Sequence, residues 1–268
     1  MIVDGLRWEV RERGAGTPLL LLHGFTGRGT SWGTHAAAFA RVFRVILVDL
    51  PGHGRTAAAD PARITVERTA DDLATILRVL GAEPAAVLGY SFGARVALRL
   101  AVAYPASVAR LVLESASAGL ATEAERAARR AADGALADRI ECDGIEAFTA
   151  EWERNPVLVR GAPASSAALA RRHAIRLANR PVGLAASLRA AGQGAMEPLH
   201  DRLAGVTAPT LVIAGALDPV RSRAVEVAAG IPAARLAVID GAGHTPHDDQ
   251  PKAFRRLATE FLQEDRAA

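Results

Sequence analysis

Short apolar runs such as Leu19-Leu20-Leu21-Leu22 and Leu211-Val212-Ile213-Ala214 recur along the chain, with segments of helical spacing between them. A strand covered on both faces reads as an unbroken apolar run, so this pattern predicts an α/β fold with a mostly parallel sheet and helices on both sides. Strands are expected over 6–11, 19–22, 45–48, 85–88, 111–114, 211–214 and 236–239. Helices are expected over 31–41, 65–80, 94–103, 220–229 and 251–263. From 116 to 208 the alternation stops; the segment is rich in Ala, Arg and Glu at helical spacing and holds no clear strand. It reads as a helical cap inserted into a core made of 1–115 and 209–268, with breaks at Asn155-Pro156, Gly161-Ala162-Pro163, Arg180-Pro181 and Glu197-Pro198.

The sequence Gly89-Tyr90-Ser91-Phe92-Gly93 lies between a predicted strand and a predicted helix. In a G-x-S-x-G turn of this kind the serine adopts strained backbone angles, and the glycines remove the Cβ atoms that would collide there. The hydroxyl is lifted above the sheet as a nucleophile or base; the plainer alternative is a serine that caps the helix. A serine in this role needs a base and an acid, each on a loop after a later strand. Asp218 follows 211–214 and His244 follows 236–239, both at the carboxyl ends where open α/β sheets place their sites. Asp218 could instead cap a helix. His247 competes with His244, and the glycines in Gly241-Ala242-Gly243 favour His244.

His23-Gly24-Phe25 follows the strand at 19–22. The backbone N–H of Phe25 and that of Phe92 form the expected oxyanion-binding pair, while His23 reads as a structural hydrogen-bonding residue. The turn-rich loop Asp49-Leu50-Pro51-Gly52-His53-Gly54 reads as structural or as part of the site. No zinc spacing, phosphate loop or dinucleotide fingerprint occurs, so no metal or cofactor is expected.

Composition narrows the class. At 268 residues, half of them hydrophobic and 23% charged, the chain suits a globular enzyme. It has no apolar run approaching the roughly 18 residues of a membrane span. Met1-Ile2-Val3-Asp4-Gly5 does not begin a secretory signal, and one cysteine, Cys142, cannot form an intrachain disulfide, so a cytoplasmic location is expected. Lys252 is the only lysine among 32 basic residues, yet the net charge is only +3 and no basic run is interleaved with aromatics. Nucleic acid and membrane are therefore not expected partners; arginine does grip carboxylates through paired hydrogen bonds, so arginines near the candidate site matter separately.

HGFTG, DLPGHG, GYSFGARVAL and GAGH together resemble the α/β-hydrolase superfamily over nearly the whole chain. More narrowly, LVLESASAGL at 111–120, with 125–130 and Ala150-Glu151-Trp152, resembles the MenH family of menaquinone-pathway lyases, the 2-succinyl-6-hydroxy-2,4-cyclohexadiene-1-carboxylate synthases. The resemblance implies elimination of pyruvate from 2-succinyl-5-enolpyruvyl-6-hydroxy-3-cyclohexene-1-carboxylate, with Ser91 as the base, activated by His244 and Asp218. It also implies that Arg95, Arg129, Arg176, Trp152 and Tyr90 contact a substrate carrying three carboxylates. Arg130 and Arg172 are alternatives to their neighbours among the cap arginines. Pro219-Val220 departs from the family, which often carries a lysine and an aromatic shortly after the aspartate. The competing readings are a serine hydrolase acting on an ester or carbon-carbon bond of a small carboxylated compound, and a non-catalytic binding protein on the same scaffold.

Overall fold

In the computed structural model, which describes residues 1–56, 60–158, 161 and 165–264, the strand Pro18–Leu22 sends its side chains alternately into two cores. Leu20 and Leu22 pack on one side of the sheet with Leu73 and Leu98, and Leu19 and Leu21 pack on the other with Trp32, Phe39 and Phe254. This two-sided burial explains why the strand is apolar at every position after Pro18. Each fully buried leucine contributes roughly 2 kcal/mol from its transfer out of water.

Among the described residues nine strands form in chain order: β1 (Ile2–Val3), β2 (Leu6–Arg7), β3 (Val10–Arg13), β4 (Pro18–Leu22), β5 (Arg44–Val48), β6 (Ala85–Tyr90), β7 (Val108–Glu114), β8 (Thr210–Gly215) and β9 (Arg235–Ile239). The main sheet has the order β3-β5-β4-β6-β7-β8-β9. All its neighbours pair in parallel except β3 with β5. The strand expected over 6–11 is interrupted. Leu6 pairs back onto Val3 across an Asp4-Gly5 turn, and Trp8 then leaves the ladder to bury its ring and donate its indole N–H to Asp72 at 3.2 Å.

The helices are α1 (Gly33–Phe39), α2 (Val66–Val79), α3 (Phe92–Ala103), α4 (Glu123–Trp152), α5 (Ser166–Leu177), α6 (Pro181–Ala191), α7 (Arg221–Gly230), α8 (Pro246–Asp249) and α9 (Pro251–Gln263). Thr65 caps α2 by accepting the Arg68 N–H at 3.1 Å. Phe254, Ala258, Phe261 and Leu262 recur at helical spacing and turn one face of α9 into the sheet. The helix expected from 31 begins instead with a 3-10 turn, Gly29–Trp32, that carries Trp32 into the core.

Among the described residues no strand lies between β7 and β8, and the helices α4 to α6 occupy that stretch. The Arg180-Pro181 break sets the start of α6, where proline's missing N–H leaves no bond unmade. The break expected at Gly161-Ala162-Pro163 rests largely on residues outside the described set. Within α4, Gly144 is not helical (φ 83°, ψ 177°), and the element runs as two helical segments joined there. Ile140, Phe148, Leu184 and Leu188 form a third apolar cluster, and Phe25 and Trp152 pack against it. The cap is thereby seated on the loop after β4. Among the described residues no helix is long and apolar enough to cross a membrane.

Candidate active site

The chain runs from β4 outward to β5 on one side and later to β6 on the other, so the order of the sheet reverses between β4 and β6. Loops leaving two such strands diverge and open a crevice. Ser91 lies at the end of β6 and Phe25 just beyond β4, on the two sides of that crevice.

Ser91 adopts φ 51° and ψ −105°, a conformation that costs a residue with a Cβ about 1–3 kcal/mol. Two contacts hold it. Its N–H donates to the Glu114 carbonyl at 2.9 Å, and Gly93 lies so close to the backbone oxygens of Leu22 and His23 that a Cβ there would overlap both. The serine Oγ lies 3.0 Å from Nε2 of His244, whose Nδ1 lies 2.9 Å from an Asp218 carboxylate oxygen. With Nδ1–H donating to that carboxylate, Nε2 is left to accept the serine proton. Asp218 is buried, and its other oxygen accepts the Val220 N–H at 3.0 Å. The His244 carbonyl accepts from the Ser115 hydroxyl at 3.0 Å, which ties the histidine loop to the end of β7.

His247 does not face the serine. Its ring and its N–H are bound to the Glu114 carboxylate, whereas His244 is the histidine within hydrogen-bonding distance of Ser91. Burial alone would lower the His247 pKa, but the charges of Glu114 and Asp248 outweigh it and raise the group to about 9. His23 accepts the Leu50 N–H at Nε2 (2.9 Å) and sits against the Gly24 carbonyl, and burial lowers its pKa to about 4. It is a neutral structural residue.

Phe92 opens α3, so its N–H is among those with no acceptor inside the helix. Phe25 precedes Thr26, whose φ of 67° turns the chain, and both phenylalanines line the cavity. The 49–54 loop supports them from behind: the His53 ring lies 5.5 Å from that of Phe25 and 5.7 Å from that of Phe92. Asp49 accepts the N–H groups of Gly29 and Arg55, so the loop has a structural part.

A cavity of about 660 Å³ stands over Ser91 and His244. Its lining includes Arg95, Arg129, Arg139, Arg171, Arg172, Arg176 and Arg223, but only two carboxylates, Asp133 and Asp248, among the described residues. Tyr90 and Trp152 also line it, and burial raises the Tyr90 pKa well above its usual value. Arg95 is buried and donates to the Ala191 carbonyl at 2.8 Å. Burial, with Arg129 adding to it, lowers its pKa to about 9. Arg129 pairs with Asp133 at 2.8 Å, and Arg176 pairs with Glu153 at 2.8 Å. Of the two alternatives, Arg172 lines the cavity beside Arg176, whereas Arg130 does not and donates to the Gly194 carbonyl.

Asn179, Asp133, Arg171 and Arg223 were not singled out in the sequence. Asn179 joins the cap to the core, donating to the Thr26 carbonyl at 2.8 Å and accepting the Gly54 N–H at 3.0 Å. An Asn closing a helix just before Arg-Pro was the available signal, and it reads equally as a helix end.

A family model described as the alpha/beta hydrolase fold matches residues 17–251. The chain belongs to the α/β-hydrolase family. This hydrolase-family chain is 37% identical over 266 residues to a Bacillus subtilis (strain 168) protein provisionally named 2-succinyl-6-hydroxy-2,4-cyclohexadiene-1-carboxylate synthase, covering 97% of this chain and 96% of that one. It is 32% identical to the Pectobacterium atrosepticum protein of that name without qualification, over 91% and 93% of the two chains. Its fold is similar to that of MenH from S. aureus, with a TM-score of 0.91, 30% identity and 97% and 98% of the chains covered.

Proposed function

We propose that this α/β-hydrolase member is a carbon-oxygen lyase of menaquinone biosynthesis. It eliminates pyruvate from 2-succinyl-5-enolpyruvyl-6-hydroxy-3-cyclohexene-1-carboxylate to give 2-succinyl-6-hydroxy-2,4-cyclohexadiene-1-carboxylate. The names of its relatives support the reaction. The observation that carries it in this chain is the arginine-rich cavity over the Ser91–His244–Asp218 hydrogen-bond chain.

The ring C2–H of that substrate is acidified by the adjacent succinyl ketone and by the ring double bond. Ser91 removes this proton as it passes its own to Nε2 of His244, and Asp218 stabilises the imidazolium that forms. The electron pair moves first toward the ketone oxygen, where the Phe25 and Phe92 N–H groups meet the developing charge. It then forms the C2–C3 double bond, the ring double bond shifts to C4–C5, and the C5–O bond breaks. Ser91 now carries the proton taken from C2, and the enolpyruvate released becomes pyruvate by taking at carbon the proton held on His244, which returns the imidazole to its neutral form. No acyl-enzyme forms, and water takes no part.

A serine hydrolase would use the same hydrogen-bond chain, and the lining separates the two. An esterase for apolar substrates gains nothing from seven guanidinium groups, whereas a substrate with three carboxylates needs cations wherever it is desolvated. The deciding experiment mixes purified protein with the enolpyruvyl compound and follows pyruvate, with a simple aryl ester run in parallel. Pyruvate release that outpaces ester turnover is expected. Brisk ester turnover without pyruvate would overturn the lyase reading.

A further inference from the structure

The charges around the cavity are not evenly balanced. Arg171 and Arg172 share Asp248 at 3.5 and 3.3 Å, Arg176 holds Glu153, Arg139 holds Glu151 at 2.9 Å, and Arg129 holds Asp133. Two arginines are left. Among the described residues neither Arg95 nor Arg223 has a carboxylate within ion-pair distance. Arg95 donates to a carbonyl and to the Met196 sulfur, and Arg223 donates to the side-chain oxygen of Gln193.

These two cations lie at the same end of the cavity. Arg95 comes from α3 below Ser91, and Arg223 from the first turn of α7, five residues beyond Asp218. Each feels the charge of Arg129, and Arg95 feels that of Arg223; Asp133 and Glu67 act on Arg95 in the opposite sense, as Glu125, Glu226 and Asp218 do on Arg223. Burial lowers the pKa of both guanidinium groups. Arg223 thus lines the cavity half-buried, hydrogen-bonded to a neutral amide and, among the described residues, with no carboxylate within ion-pair distance, an arrangement that suits an anionic ligand.

We propose that Arg223, acting with Arg95 and Arg129, binds a carboxylate of the substrate at the α7 end of the cavity and so selects for polycarboxylates. Gln193, which also lines the cavity, fixes the side chain of Arg223 and leaves the rest of its fork of N–H donors for the ligand. The assignment rests on the reading of the substrate as a polycarboxylate. It does not depend on which bond is broken.

The test uses citrate, a tricarboxylate, titrated calorimetrically into the full-length wild type and the Arg223→Gln and Arg223→Lys variants, with thermal melting as a check on folding. The Gln variant should bind citrate at least about tenfold more weakly at unchanged melting temperature, and Lys should recover part of the loss, because charge-assisted bonds are the strong ones. With the enolpyruvyl compound, the Gln variant should show a KM raised about tenfold or more and a kcat within about threefold of wild type. A purely structural role would lower both the melting temperature and kcat. Equal citrate affinity in wild type and Gln variant, including none in either, overturns the assignment, as does a fall in stability that accounts for the loss. If wild type releases no pyruvate while citrate binding still depends on Arg223, the lyase reading fails and the anion site stands.

Discussion

Nδ1 of His247 lies 2.8 and 2.9 Å from the two oxygens of the Glu114 carboxylate, and the His247 N–H donates to the same group at 2.7 Å. The backbone carbonyl of Glu114 meanwhile accepts from Ser91. One residue at the end of β7 therefore holds both the serine turn and the segment that follows His244.

The pair makes stability depend on pH. Its folded pKa of about 9 lies above the 6.5 of a free histidine, so the protonated form favours folding. The contribution is complete below pH 6.5 and is lost as pH rises through 9, amounting to roughly 3 kcal/mol. His23, His35 and His53 have the opposite sign, with pKa values lowered to about 4, 3 and 3 mainly by burial, so their contributions are complete above about pH 7. Denaturant titrations between pH 7 and 9 should show wild type losing stability while His247→Gln, less stable at pH 7, stays nearly flat. Parallel curves for the two proteins would refute the assignment.

Ser91→Ala should lower pyruvate release by a factor of about 10³ or more, since no other side chain takes its place beside His244. Asp218→Asn should lower kcat by about 10² to 10⁴ with little effect on KM, because the amide disfavours the tautomer that accepts the serine proton. Steady-state kinetics on the enolpyruvyl compound measures both. A fully active Ser91→Ala protein would remove the assigned base.

Asn179→Ala should reduce kcat about tenfold while shifting the melting temperature by only a few degrees. Its amide holds the Thr26 carbonyl, one residue beyond the Phe25 donor, and accepts from Gly54. Loss of these bonds loosens the oxyanion-binding turn more than it weakens the core. The outcome to look for is activity lost at a temperature where circular dichroism is unchanged; a proportionate loss of both would make Asn179 merely structural.

Gly93→Ala should cost several kcal/mol or prevent folding, because the new methyl group would overlap the backbone oxygens of Leu22 and His23. The overlap is with main chain, which cannot rotate away. A melting temperature within about two degrees of wild type would show that β4 and α3 are farther apart than described.

Sequence made the core of the site legible because its geometry is local. A serine between a strand and a helix, and an acid and a histidine after later strands, are placed by chain direction alone, and Ser91, Asp218 and His244 meet within hydrogen-bonding distance. The cap was less legible. Whether Arg130 or Arg172 reaches the cavity depends on how α4 and α5 are rotated against the core, which arginine-rich composition does not reveal. Arg223 was hidden for the same reason, as one of two arginines in the first turn of α7. The β1–β2 hairpin was missed because Leu6 and Trp8 read as one strand, although Trp8 leaves the ladder to reach Asp72.

Gly144 gives a measure of what the cap arrangement requires. Arg129 and Trp152 are 23 positions apart on α4 and both line the cavity. At 1.5 Å per residue a straight helix would separate them by about 35 Å, far beyond the reach of one small ligand. The turn at Gly144 folds that length back on itself, so the span of the site is set by a residue that touches no part of it.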